Sequence, residues 1–320
     1  MRIVIAGASG FMGRFLVDAF RGDGDEVRTI GRGEADARWG DADGIRSLVD
    51  GADVVIGLAG KSVNCRYNAG NRAEILRSRV DTTRQLGGAI AASSRPPALW
   101  INSSTATIYR HADDRPMTES TGEFGDGFSV DVARAWEDAL FERDLPATRR
   151  VALRTAIVLG DGGAIVPLLG LAGLGFGGPQ LDGPWFRSRR RRETGTLHEV
   201  GSRGGRQRFS WIHLDDVYGV IRFLIEHREL DGPINLSSPN PTDSVGLMRT
   251  IRRAVGAPFG LPVHRWLLEP GAWAIRTETE LVLKSRWVLP ERLVEAGYRF
   301  RHPELGAAIR DVVAARRRRR

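Results

Sequence analysis

Residues 2–14 read Arg2-Ile3-Val4-Ile5-Ala6-Gly7-Ala8-Ser9-Gly10-Phe11-Met12-Gly13-Arg14. Ile3, Val4 and Ile5 form the unbroken apolar run of a parallel strand buried on both faces. Met12, Phe15, Leu16, Ala19 and Phe20 then recur at i, i+3, i+4, i+7 and i+8, one face of a helix that Arg14 opens. Between strand and helix lie three glycines spaced Gly-x-x-Gly-x-x-Gly. Gly7 permits a tight turn, Gly10 lets backbone N–H groups approach a pyrophosphate, and Gly13 lets the helix sit close on the strand. Phosphates would rest at the helix N-terminus, where the first N–H groups lack acceptors and the dipole is positive. The alternative is a glycine turn without a ligand. The buried strand before it and the amphipathic helix after it favour the dinucleotide reading.

The same alternation predicts strands over 26–30, 37–39, 53–58, 98–102 and 151–159, with helices over 71–92 and 128–142. The second strand runs into Gly31-Arg32. A fold that prefers NAD usually carries an acid there for the ribose 2′-hydroxyl, whereas Arg32, with Arg14 beside the turn, suits a 2′-phosphate. NADP(H) is therefore expected over NAD(H), although Glu34 and Asp36 follow closely. Ala59-Gly60 ends the fourth strand, where bare backbone can pass near the cofactor. Arg79, on the next helix, either reaches the pyrophosphate or pairs with Glu74 or Asp81. The fifth strand runs into Ser103-Ser104-Thr105-Ala106-Thr107-Ile108-Tyr109, a hydroxyl cluster at the carboxyl edge where reacting groups gather in parallel sheets.

Beyond Gly160 the pattern changes to Gly- and Pro-rich loops, with strands over 209–213 and 234–236 and helices over 215–227 and 305–315. The expected division is a dinucleotide-binding domain over 1–160, substrate-side segments over 161–254, a small module over 255–315 and a basic tail over 316–320. Residues 184–204 lack an apolar period and carry Arg187-Ser188-Arg189-Arg190-Arg191-Arg192, so they read as an exposed insertion.

The chain has 320 residues and a formal charge of +8, but five arginines of the insertion and five of the tail exceed that excess, leaving −2 without them. The basic character is local, and interleaved aromatics and an organised basic helix are missing, which disfavours nucleic acid as a partner. A single Cys65 excludes an internal disulfide and multi-cysteine zinc sites. No metal is expected. The longest apolar run, 165–176, is too short to span a bilayer and contains Pro167. No signal peptide precedes the first strand, so a cytoplasmic monomer or homodimer is expected.

These stretches together resemble the YfcH-like epimerase branch of the atypical extended short-chain dehydrogenases/reductases. The resemblance spans nearly the whole chain. It rests on GASGFMG, CRYNAGNRAEILRSRV, SSTATIY, Trp136-Glu137, RTAIVLGDGGA, GRQRFSWIHLDD and NLSSPNPT, and on a C-terminal module of the DUF1731 type containing LVLKSRWVLPERLVEAGYRFRHPEL. It implies an α/β NAD(P)-binding Rossmann fold, a doubly wound parallel sheet with a smaller C-terminal α/β part covering substrate. It also implies NADP(H) held by the turn residues Gly7, Ser9, Gly10, Phe11, Met12, Gly13 and Arg14, by Arg32, Leu58 and Ala59, and by Glu74 and Arg79. Members of this family are named epimerases or dehydratases by fold, and the name leaves the substrate open.

Enzymes of the extended type pair a Ser or Thr at the fifth strand end with Tyr-x-x-x-Lys on the following helix. Thr105 matches the hydroxyl. Ser129 stands where the tyrosine belongs and Ala133 where the lysine belongs, and no Tyr-x-x-x-Lys occurs anywhere in the chain. Tyr109 is the first candidate replacement, followed by His111, Arg66 and His213, each with a packing or surface role as its alternative. Two functions stay open: an NADP(H)-dependent oxidoreductase or epimerase-like enzyme with a non-standard acid, and a non-catalytic NADP(H) sensor.

Overall fold

Four consecutive fully buried residues, Ile3 to Ala6, place β1 (Arg2–Ala6) in the middle of the main sheet in the computed structural model, which describes residues 1–186, 188–199, 201–274 and 278–318. Its neighbours are β2 (Glu26–Gly31) and β4 (Val54–Gly57). Outside them lie β3 (Ala37–Arg38) on one side, and β5 (Leu99–Thr105) and β6 (Arg149–Thr155) on the other. The order 3-2-1-4-5-6, with every pairing parallel, is that of a Rossmann sheet, whose ligand crevice opens between β1 and β4. Alternate residues of β1 face opposite layers. Ile3 and Ile5 pack with Leu16 and Phe20 of α1 (Phe11–Gly22), while Val4 and Ala6 pack with Ile45 of α2 (Ala42–Val49) and Leu86 of α3 (Ala69–Ala91). α4 (Phe128–Phe141) completes the second layer.

Three expected strands are extended or divided. β5 runs to Thr105 instead of Asn102, because Ser103, Ser104 and Thr105 pair with Leu153, Arg154 and Thr155 of β6. The strand expected over 151–159 breaks at Ala156, whose N–H donates to Leu236 O, and β7 (Ile157–Leu159) turns away. The strand expected over 209–213 likewise divides. The element expected over 234–236 belongs to the main sheet: after α5 (Ile165–Gly173), β8 (Gln180–Leu181), α6 (Arg189–Glu193), β9 (Arg208–Phe209), β10 (Trp211–His213) and α7 (Leu214–Glu226), β11 (Gly232–Leu236) pairs in parallel with β6 as its seventh strand. Val217, Ile221 and Leu224 of α7 join the layer under α1.

Short pairings of β10 with β7, β9 with β12 (Thr242–Asp243), and β8 with β13 (Val263–His264) build the second half. Its core is formed by α5, α8 (Ser244–Val255) and α12 (Leu305–Arg318), through Leu169, Met248, Ile251 and Ile309. α9 (Arg265–Ala274), α10 (Glu280–Leu283) and α11 (Glu291–Glu295) follow α8 in chain order and precede α12.

Two segments expected to be solvated are tied down. α6 sits inside the arginine-rich insertion, and Arg191 reaches Glu269 at 3.0 Å and Glu278 at 3.4 Å. Thr196, His198 and Ser202 are buried, and His198 O accepts from Arg265 at 2.7 Å. Arg189, Arg190 and Arg192 do face solvent or its edge, while Arg187 lies outside the described residues. In the basic tail, Arg316, Arg317 and Arg318 extend α12, and Arg316 pairs with Asp161 at 3.3 Å. Arg319 and Arg320 lie outside the described residues. Among the described residues, no helix is long and apolar enough to cross a membrane.

Candidate functional site

At the β1–α1 turn each glycine has a distinct steric reason. Gly7 has φ +88°, and a Cβ there would stand 2.9 Å from Leu58 C and Ala59 N, so the turn closes onto the end of β4. A Cβ on Gly13 would stand 2.8 Å from Ala8 Cα and would also strike Gly7 O. At Gly10 the surroundings are open, with Gly7 O at 3.3 Å as the one neighbour. Gly10 is the N-cap of α1 with no side-chain cap and no acid in the first turn. By contrast, α2, α3 and α8 are capped by Asp41, Asn68 and Asp243. The first N–H groups of α1, those of Phe11, Met12 and Gly13, are therefore left to an anion. Ser9 O accepts from Arg14 Nη1 at 2.6 Å, which holds that guanidinium against the turn. The Phe11 ring is spent elsewhere. It fills the space over Gly162 and Gly163, where a Cβ would meet it at 2.6 and 3.3 Å, and so pins the Gly160–Gly163 loop beside the helix start.

β2 ends at Gly31, so Arg32 stands at the carboxyl edge, exposed. Asp36 cannot take the place of an acid there, because its carboxylate accepts from Thr29 N at 2.7 Å and Thr29 Oγ1 at 2.8 Å and pairs with Arg28. Glu74 is ion-paired with Arg77. That hydrogen bond, with the nearby Lys61 and Arg32 charges, holds its carboxyl below the usual range. Arg79 pairs with neither Glu74 nor Asp81 among the described residues. It donates to Lys61 O and Ile75 O, each at 3.0 Å, and lies over the Trp136 ring at 4.9 Å, where burial pushes its guanidinium down to about 10. It anchors the loop after β4.

At the end of β5, Thr105 Oγ1 accepts from Thr107 N at 3.2 Å and caps a single 3-10 turn, Ala106–Ile108. Tyr109 is packed into the core, the alternative to its role as a replacement acid. It is 2% exposed, its hydroxyl donates to Asn235 Oδ1 at 2.9 Å and accepts from Arg154 Nη1 at 2.9 Å, and burial raises its pKa. Ala133 is fully buried among Ala106, Ile108 and Met117, leaving no room for a lysine. Ser129 Oγ donates to Glu280 Oε2 at 3.4 Å.

The other candidates serve as joints. Arg66 pairs with Glu278 at 3.3 Å. His111 Nδ1 accepts from Ser285 N at 3.2 Å, and its ring also meets Asp113 and Ser202. His213 Nδ1 caps α7 by accepting from Asp215 N at 3.2 Å. His213, Asp215 and His302 bring ligand atoms within 4.8 Å of one another. Capping occupies Nδ1 of His213, and His302 Nε2 donates to Asp215 Oδ2 at 3.0 Å, so the trio is a satisfied hydrogen-bond joint.

The C-terminal module brings in residues that sequence reasoning passed over. Lys284 Nζ donates to Thr107 O at 3.1 Å, and Arg286 Nε donates to Thr107 Oγ1 at 3.3 Å. Tyr67 is buried beside Ser129, with Glu280 near, and burial raises its pKa strongly. Next to this group Trp185, Phe186, Arg191, Glu269 and Trp273 line a cavity of about 310 Å³ that Arg66 also reaches. One signal was available for Lys284: it is one of only two lysines, the other being Lys61.

Against known proteins, the model of the NAD dependent epimerase/dehydratase family matches residues 3–127, and that of a domain of unknown function, DUF1731, matches residues 271–312. The chain is 31% identical to the epimerase family protein SDR39U1 of Mus musculus, over 98% of this chain and 100% of that protein. It is 28% identical to the epimerase family protein YfhF of Bacillus subtilis (strain 168), over 99% of each. The crystal structure of human SDR39U1 (isoform 2) with NADPH superposes with a TM-score of 0.82 at 27% identity, covering 98% of this chain and 99% of that one. MoeE5 in complex with UDP-glucose and NAD, at 17% identity and a TM-score of 0.73, shares the fold.

Proposed function

The chain belongs to the epimerase family that includes SDR39U1, an NAD(P)-binding Rossmann family, and on that premise we propose that it is an NADP(H)-dependent oxidoreductase or epimerase-like enzyme. The observation that carries this reading is the open, uncapped α1 N-terminus at Gly10, in line with a β2 end occupied by Arg32 and by no acid. Gly10, Phe11, Met12 and Gly13 would present backbone N–H groups to the pyrophosphate, and Leu58 and Ala59 would flank it. Arg32, which no hydrogen bond or ion pair holds among the described residues, would meet the 2′-phosphate, with Arg14 lending charge. Binding of NADPH by the human relative supports the same preference.

The bound nicotinamide would supply a hydride to, or accept one from, a substrate carbon. The chain's own contribution at that carbon is a hydroxyl, Thr105, placed to hydrogen-bond an oxygen as its charge develops. In this reading residues 1–160 hold cofactor, with β11 and α7 returning to the sheet, and 161–254 and 255–315 cover a small-molecule substrate. A reducing compartment such as the cytoplasm accords with the lone Cys65. The missing dyad, with Ala133 walled in, favours a second reading: a nucleotide sensor without turnover.

Mass spectrometry of nucleotide retained on purification, followed by calorimetric titration with NADPH and NADH, tests the proposal. Tighter NADPH binding is expected. No binding of either would overturn it, and tight NADPH binding without turnover of any aldehyde, ketone, quinone or nucleotide sugar would favour the sensor.

A further inference from the structure

Lys284 is 8% exposed and lies immediately after α10. An ammonium has three N–H donors, yet among the described residues its one hydrogen bond is to a backbone carbonyl, Thr107 O, and no carboxylate lies within ion-pair distance. A buried cation left in this state gains strongly from any additional acceptor that arrives. The position of the carbonyl matters. Thr107 lies in the 3-10 turn that caps β5, and its N–H is held by the Thr105 hydroxyl. Lys284 therefore reaches from the C-terminal module onto the strand edge where the hydride chemistry is expected, while α4 offers only Ser129 and the walled-in Ala133.

We propose that Lys284 is the proton donor and acceptor for the substrate oxygen, so that the C-terminal module supplies the acid that the helix after β5 lacks. This rests on the NADP(H)-dependent reading above. In the reducing direction a hydride from reduced nicotinamide forms a C–H bond at a carbonyl carbon, and the C=O π pair moves onto oxygen. The Lys284 ammonium gives that oxygen a proton, and solvent reprotonates the resulting amine. The nicotinamide is left oxidised, and alcohol oxidation runs the same steps backwards.

The charged surroundings suit this task. Burial, with Arg286 close by, pushes the ammonium down to about 8, and Glu280 and Asp126 oppose that shift. His111, from the loop after β5, faces the same lysine, and burial holds its imidazole below the usual value. An acid titrating near the working pH passes its proton most efficiently. Arginine at the same place would keep the charge and lose the proton transfer.

The full chain with ¹⁵Nζ-labelled lysine gives two side-chain signals, and Lys61→Arg assigns them. The Lys284 signal is expected to titrate near pH 8, well below the ordinary range of a lysine ammonium. Turnover of aldehydes, ketones and quinones with NADPH is then compared for wild type, Lys284→Met and Lys284→Arg. Both variants should lose about 10²- to 10⁴-fold in kcat while NADPH affinity and Tm hold. In wild type, kcat for reduction should fall above about pH 8 as the acid deprotonates. Full activity in Lys284→Arg, titration of Lys284 in the ordinary lysine range, or absence of turnover despite bound NADPH overturns the lysine's role and leaves the cofactor reading standing. Failure of wild type to bind NADPH removes both.

Discussion

Arg154 of β6 holds Glu137 of α4 through two parallel hydrogen bonds, Nε to Oε1 at 2.9 Å and Nη2 to Oε2 at 2.8 Å, with both side chains almost fully buried. Ser104 donates to the same carboxylate at 2.6 Å, and Tyr109 accepts from the same guanidinium. This network clamps β5, β6, β11 and α4 beneath the hydroxyl edge. Removing one partner of such a pair strands the other charge in the core. Glu137→Gln should therefore lower unfolding stability by about 3 to 5 kcal/mol in urea titration. Tyr109→Phe should cost about 1 to 3 kcal/mol and leave NADPH affinity unchanged. A Tyr109→Phe variant that kept its stability but lost turnover would restore Tyr109 as the acid.

Gly10→Val and Gly13→Ala should fail differently. Valine at Gly10 fills the open space over the α1 N-terminus, so NADPH binding should vanish with the circular dichroism spectrum and Tm nearly intact. A methyl at Gly13 meets Ala8 Cα at 2.8 Å, where only backbone can yield, so this variant should lose several degrees of Tm. Nucleotide binding by soluble Gly10→Val would refute the site.

Arg32→Ala should reduce NADPH affinity by the worth of one charged hydrogen-bonded pairing, about 1.5 to 3 kcal/mol, and leave NADH affinity nearly unchanged. Calorimetry with both cofactors reads the difference directly. Parallel losses for the two would assign the preference to another residue.

Thr105→Val should slow any turnover by on the order of a hundredfold, since it removes a hydroxyl from beside the developing oxyanion. Ser129→Ala should change it little, because the Ser129 hydroxyl is turned toward Glu280. The opposite ranking in steady-state kinetics would move the reacting centre from β5 to α4.

Deleting residues 184–204 should now destabilise the protein, contrary to what their composition implies. Arg191→Ala alone should cost about 1.5 to 3 kcal/mol, because it strips a cation from the buried Glu269 and Glu278 carboxylates. Arg189→Ala, at the surface, should leave Tm where it was. Equal behaviour of the two arginines in thermal melts would contradict the ion pairs.

The Rossmann sheet and its entrance are legible in local sequence. Apolar runs such as Ile3–Ile5, helical periodicity such as Met12–Phe20, and glycines with steric reasons at Gly7 and Gly13 are local properties, read within a dozen residues. The family followed from motifs of the same kind. What the sequence left hidden depends on partners far along the chain. The return of β11 to the sheet requires β6, eighty-one residues earlier by register (Gly232 with Val151). For Tyr109 packing and chemistry were both open until Arg154 and Asn235 closed over it, and the arginine run looked solvated until Glu269 and Glu278 came to meet Arg191. Lys284 meets Thr107 across 177 positions. A charge or a hydroxyl carries no periodicity that reveals its partner. Only the folded chain, by excluding water around it, decides whether it packs, pairs or is left to react.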